Sequence, residues 1–159
     1  MPVINLETYI KSTIKICFDL SRSIDLHKIS TAKSKEEAID GTVNGLINFG
    51  EFVTWQAFHF GIKQKLTSKI TAFDYPHHFR DEQQKGAFKY IIHDHYFISD
   101  GSNVIMKDVF SFKSPLGFIG ATVDKLILTH YLEKLLTERN NIIKDFAETE
   151  KWKLILGVG

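Results

Sequence analysis

The feature that most constrains this chain is a change of period. From Glu51 to Lys113 apolar and polar residues alternate every second position, and after Ser114-Pro115-Leu116-Gly117 the pattern becomes helical for about thirty residues. Val53, Trp55, Ala57 and His59 alternate with Thr54, Gln56 and Phe58. Beyond Gly61, Gln64, Leu66, Ser68 and Ile70 alternate with Lys63, Lys65, Thr67 and Lys69. A row carrying three lysines is the wet face of a strand, so its partner row faces inward. Tyr75-Pro76 ends that strand. Three more follow over 78–85, 87–98 and 103–113, the last two joined by the hairpin signal Asp100-Gly101. A sheet with one apolar face must be covered. The only element long enough is the final helix, with Leu128, Leu132, Leu135, Ile142 and Phe146 on one side and Lys125, Glu133, Lys134, Glu138 and Lys144 on the other.

The N-terminal third is less regular. Residues 3–11 read as a strand, Ser12 as the cap of a short helix running to Leu20, and Ser23–Lys28 as a second helix. The polar stretch 30–50 offers one short strand near Glu37–Ile39. The order is strand, short helices, antiparallel strands, long helix: an α+β class in which a curved antiparallel sheet wraps a C-terminal helix. Length sets the expectation of one domain over 1–149, with 150–159 as an apolar C-terminal extension that packs on the body or on a neighbouring subunit.

Composition narrows the function classes. Twenty basic residues balance nineteen acidic ones without a basic stripe, so no nucleic-acid partner is expected. No stretch approaches the eighteen or so apolar residues of a membrane span, and the start lacks the features of a signal peptide. A cytoplasmic protein with no integral membrane contact is expected, as monomer or homodimer. Cys17 is the only cysteine and falls in the first helix, where a buried, inert thiol is expected. Thirteen Phe against two Met suit a broad sheet or a lined cavity.

Parity along the strands selects the candidate site. It places Trp55, His59, Gln64, Leu66, Met106, Asp108 and Phe110 inward. On the ambiguous strand it places Ile91, His93, His95 and Phe97 inward, leaving Tyr90, Asp94 and Tyr96 outward. A one-residue slip would invert this assignment. Asp81 and Gln83 join the interior set, and Val123, Ile127 and Tyr131 of the helix face it. Buried ionisable groups at these positions must pair with one another or with water. The residues alone leave two readings open: a polar end of a cavity that orients a ligand's oxygens, or a structural network that fixes strand register. A histidine–aspartate pair (His93 or His95 with Asp108) could act as general acid/base, and His93-x-His95 with Asp108 or His59 could ligate a metal. His77-His78 reads as a solvated pair in a loop.

Several segments sharpen the picture. Asp81-Glu82-Gln83-Gln84-Lys85-Gly86-Ala87-Phe88 followed by His93-Asp94-His95-Tyr96-Phe97 resembles a pattern of one bacterial branch of the START-like (SRPBCC) superfamily. Met106–Phe110, Ser114–Gly117, Val53–Trp55 and His59–Gly61 fit the same branch, and the resemblance spans about residues 3–147. Ala87 departs from it, since relatives often carry Pro there. The resemblance implies the helix-grip fold, with a cavity between sheet and helix for lipids, polyketides or other small hydrophobic molecules. It implies a polyketide-cyclase-like or ligand-binding protein without metal or other cofactor. Binding without catalysis is the reading adopted; a cyclase or dehydratase using the His/Asp cluster is the alternative.

Overall fold

A computed structural model describes residues 2–59, 61–114 and 124–157. Seven strands form one antiparallel sheet: β1 (Val3–Ile10), β2 (Glu37–Gly41), β3 (Phe52–His59), β4 (Ile62–Asp74), β5 (His78–Lys85), β6 (Tyr90–Asp100) and β7 (Asn103–Lys113), in spatial order β1-β7-β6-β5-β4-β3-β2. Helices α1 (Ile14–Ser21) and α2 (Ile24–Ser30) follow β1. The long helix α3 (Thr129–Glu148) continues from a π turn over Asp124–Leu128, and a short α4 (Trp152–Leu156) ends the described chain.

The local chemistry explains most boundaries. Thr13, not Ser12, caps α1: its backbone is extended and its hydroxyl accepts from the Ile16 amide at 3.3 Å. Ser23 caps α2 in the same way through the Leu26 amide. Gly101 turns β6 into β7 with φ of 62°, a conformation that glycine adopts without steric cost. At Gly86, in the β5–β6 connection, the missing side chain leaves room for the Gln83 amide, whose Oε1 would lie 2.6 Å from a Cβ there. Register shifts at Thr67/Ser68 and Ile70/Ala72 interrupt the β4–β5 ladder; such bulges bend a strand and increase its twist, here in a sheet that must curve around a helix.

Two apolar clusters are buried among the described residues. The larger has Phe18 at its hub, with the rings of Phe73, Tyr75, Phe79 and Phe97 at 4.9–5.3 Å. The smaller gathers Ile4, Ile91, Phe110, Phe112 and Leu136. The inward row of β6 reads Ile91, His93, His95, Phe97, so the two histidines lie between the clusters, and Asp108 does the same on β7.

Helix α3 corrects the periodicity reading. The expected apolar stripe flanks the buried face, while Leu136, Arg139, Asn140, Ile143 and Ala147 form its centre. Two polar residues at the middle of a buried face are invisible to a hydrophobic pattern. Trp152, Ile155 and Leu156 of α4 pack against the larger cluster, whereas Leu154 faces solvent. Cys17 is fully buried, and burial pushes its thiol up to about 12. No described helix is long and apolar enough to cross a membrane.

Candidate functional site

Between the concave face of the sheet and α3 lies a cavity of about 370 Å³. Its apolar walls come from Val53, Trp55, Leu66 and Ile70 on the sheet and from Leu128, Leu132 and Leu135 on the helical side. Of the expected site residues, Trp55, His59, Gln64, Leu66, Asp81, Ile91, His93, His95, Phe110 and Tyr131 line it.

Of the rest, the described ones do not. Phe97 and Met106 point inward, but they sit where α1 docks and belong to the packed core around Phe18. Asp108 is fully buried beneath the histidines. Gln83 folds over to donate to the Phe88 carbonyl at 2.7 Å. Ile127, within the π turn, is 54% exposed, and its neighbour Leu128 lines the cavity instead. Val123 lies outside the described residues.

The polar floor of the cavity is a belt across three strands and the helix. Asp81 and His93 are register partners across β5–β6, and His95 and Asp108 across β6–β7. Their close contacts run diagonally. His95 Nε2 lies 2.8 Å from Asp81 Oδ2, and His93 Nε2 lies 2.7 Å from Asp108 Oδ1. His95 Nδ1 is 3.3 Å from Asp108 Oδ1, so this ring stands between two carboxylates. Ser68 donates to Asp81 Oδ1 at 3.1 Å and Asn140 to Asp108 Oδ2 at 2.7 Å. Arg139 donates to Asn140 Oδ1 at 2.9 Å and to the Ser21 carbonyl at 3.2 Å; its Nη1 is 3.7 Å from Asp108. The His93 and His95 rings lie 3.7 Å apart, with His95 stacked on Phe79 at 4.1 Å.

Burial and charge act in opposite directions here. Burial raises the Asp108 carboxyl, but His93, His95 and Arg139 outweigh it and hold it well below the usual range. Asp81 is likewise raised by burial and held down to about 2 by the two histidines and Ser68. Burial lowers both imidazoles. For His95 the Asp108 and Asp81 carboxylates win, so its pKa is raised; for His93 burial and the neighbouring His95 win, so its pKa is lowered.

A second polar group sits elsewhere on the cavity wall. Glu36 Oε2 lies 2.5 Å from His27 Nε2, and His59 Nδ1 lies 2.6 Å from the Tyr131 hydroxyl, tying the end of β3 to α3. His27 also packs on Trp55 at 4.3 Å between ring centroids. Sequence reading missed His27, Glu36, Arg139 and Asn140. Glu36 stands in a polar run (Lys33-Ser34-Lys35-Glu36-Glu37) that looks solvated, and no period marks a lone inward carboxylate. On the outer face Asp94 is correctly placed but not solvated: Arg80 grips it with two hydrogen bonds of 2.8 Å and His78 with one of 2.7 Å, leaving it 7% exposed. His78 is therefore a paired residue rather than a solvated one, and it stacks on Tyr96.

A curved antiparallel sheet closed over a C-terminal helix, with short helices after the first strand, is the START-like helix-grip architecture. Solved structures agree on the fold. A protein from Thermus thermophilus is 16% identical with a TM-score of 0.69, covering 89% of this chain and 97% of its own. Ginseng major latex-like protein 151 from Panax ginseng is 17% identical, TM-score 0.69, covering 93% and 98%. A START superfamily protein from Mycobacterium smegmatis is 10% identical, TM-score 0.69, covering 91% and 98%. No known family profile matches the chain, and no curated protein does.

Proposed function

We propose that this chain binds a small hydrophobic molecule in the cavity between sheet and α3, with an oxygenated end of the ligand at the Asp81–His93–His95 floor. The observation that carries this reading is the cavity itself. Its volume of about 370 Å³ falls within the roughly 300–1,000 Å³ typical of small-molecule sites. Aliphatic and aromatic walls supply affinity by removing apolar surface from water, and the few convergent polar groups set orientation. The lipid- or polyketide-like ligand implied by the sequence resemblance fits this division of a long apolar wall and a compact polar floor.

One observation favours a second reading. His93 lines the cavity and is held by Asp108 through Nε2, with Nδ1 on the side of Asp81 at 3.9 Å, an arrangement that suits an oriented general base. A cyclase- or dehydratase-type reaction on an oxygenated apolar substrate would use it. Native mass spectrometry of purified protein, followed by extraction and identification of what co-purifies, tests the binding reading. A defined small apolar mass per chain is expected; protein purified from several hosts that carries none, and takes up no added apolar probe, overturns it.

A further inference from the structure

We propose that Asp81, His93 and His95 form a binding site for a divalent first-row transition cation, with an open coordination position facing the cavity. The sequence pointed to His93 and His95 with Asp108 or His59, and the family resemblance implied no metal. The geometry supplies a different third ligand and a different role for Asp108.

Asp81, His93 and His95 converge, each offering one ligand atom within 4.8 Å of the other two. Two of the separations are 2.8 Å (Asp81 to His95) and 3.9 Å (Asp81 to His93). Ligands of a tetrahedral Zn²⁺ held at 2.0–2.1 Å stand roughly 3.3 Å apart. These two spacings bracket that value, so side-chain adjustment can bring the three into place.

The surrounding hydrogen bonds orient His93 Nδ1 and Asp81 Oδ2, while His95 Nε2, which donates to Asp81 at 2.8 Å, releases its proton as the ion binds. Asp108 accepts the His93 Nε2 proton at 2.7 Å, which leaves the Nδ1 lone pair directed toward Asp81. No described residue donates to that Nδ1. Asp108 also stands at the far nitrogen of His95, and Asn140 in turn holds Asp108. Ser68 occupies Asp81 Oδ1, turning Oδ2 toward the histidines. A buried carboxylate behind ligating histidines and a hydroxyl behind a ligating carboxylate are the outer partners that orient metal ligands.

Charge points the same way. Two carboxylates, the half-buried Asp81 and the fully buried Asp108, face one permanent cation, Arg139, so a bound divalent ion takes over the charge-balancing role that a protonated His95 plays between them. Two imidazoles and one carboxylate match the donor set of borderline divalent ions such as Zn²⁺ and Fe²⁺ better than that of Mg²⁺ or Ca²⁺. All three ligands line the cavity, so the free position takes water or a ligand oxygen.

The site is independent of which molecule fills the cavity, and the test uses metal alone. Metal-free full-length protein titrated with Co²⁺ is expected to develop visible d–d absorption that saturates at one ion per chain and is displaced by Zn²⁺. Asp81→Asn and His95→Gln weaken binding about tenfold or more, whereas His77→Asn, an exposed histidine elsewhere, leaves it unchanged. Ring ¹⁵N spectra of the wild-type protein with and without Zn²⁺ decide the matter even if those variants do not fold: His93 Nδ1 and His95 Nε2 shift to metal-bound values. Absence of saturable Co²⁺ absorption, unmoved ring nitrogens, or binding that survives both ligand variants overturns the proposal.

Discussion

Asp108→Asn isolates the charge at the centre of the structure, because the two side chains have nearly the same volume. The Asp108 side chain is 0% exposed and faces His93 and Asn140 at 2.7 Å, His95 at 3.3 Å and Arg139 at 3.7 Å. The amide removes the counter-charge of Arg139 and His95 and turns donors toward groups that already donate. Breaking a buried pair in this way costs about 3–5 kcal/mol. For a chain of this length about 1 kcal/mol moves Tm by roughly 2–4 °C, so a fall of roughly 6–20 °C is expected. Urea unfolding followed by circular dichroism measures it directly. The midpoint should drop with the slope unchanged, since the buried surface is the same. Asp74→Asn, on an exposed carboxylate, should stay within about 0.5 kcal/mol. A loss below about 1 kcal/mol in Asp108→Asn would refute the argument that this carboxylate anchors the polar belt.

Three further outcomes follow from the same physics. Glu36 has a folded pKa below its ordinary 4.5, because His27, His59 and Thr31 outweigh the opposing effect of burial. Its stabilisation is therefore full above that value and fades as pH falls through the folded pKa, so the gap in unfolding free energy between wild type and Glu36→Gln should narrow in acid. A gap that is the same at pH 7 and pH 3 contradicts the pairing. Cys17, with its thiol at about 12, should resist a thiol reagent at pH 8 in the native protein and react on unfolding; rapid native labelling would place it at the surface. Trp152→Ala should lower stability by about 1–3 kcal/mol, less than the roughly 3–5 of a fully buried Trp, because the ring is only half-buried against the core. An unchanged denaturation midpoint would mean that α4 does not dock in solution.

The legible part of this fold was the part governed by period. Alternation along β3, β4 and β7 marked the inward faces; on β6 alternation alone left the face ambiguous, and the choice of His93 and His95 as inward, made on the charge of Asp94, agrees with their burial. Parity reports a face but not a position along the strand, and position decides between cavity wall and packed core. Phe97 and Met106 therefore share a face with His93 and Asp108, yet lie under α1, whose own docking site no strand pattern encodes. Apolar spacing likewise located the final helix and missed Arg139 and Asn140 at the centre of its buried side, since buried polar groups are defined by their partners. His27 and Glu36 come from the irregular 30–50 region and its flank, where turns and caps leave no repeating signal. Asp94 shows the converse error: its face was correct, but Arg80 and His78 replaced the solvent that a charged residue was expected to meet.

The central claim is that the space between sheet and α3 admits an apolar guest, and titration with neutral N-phenyl-1-naphthylamine tests it most directly. Wild-type protein should enhance the probe's fluorescence to saturation at one molecule per chain. Ala57→Phe, which projects a ring into the cavity from a position only 4% exposed, should abolish that signal while the protein stays folded. Equal enhancement by both proteins, or none by the wild type, would contradict the account.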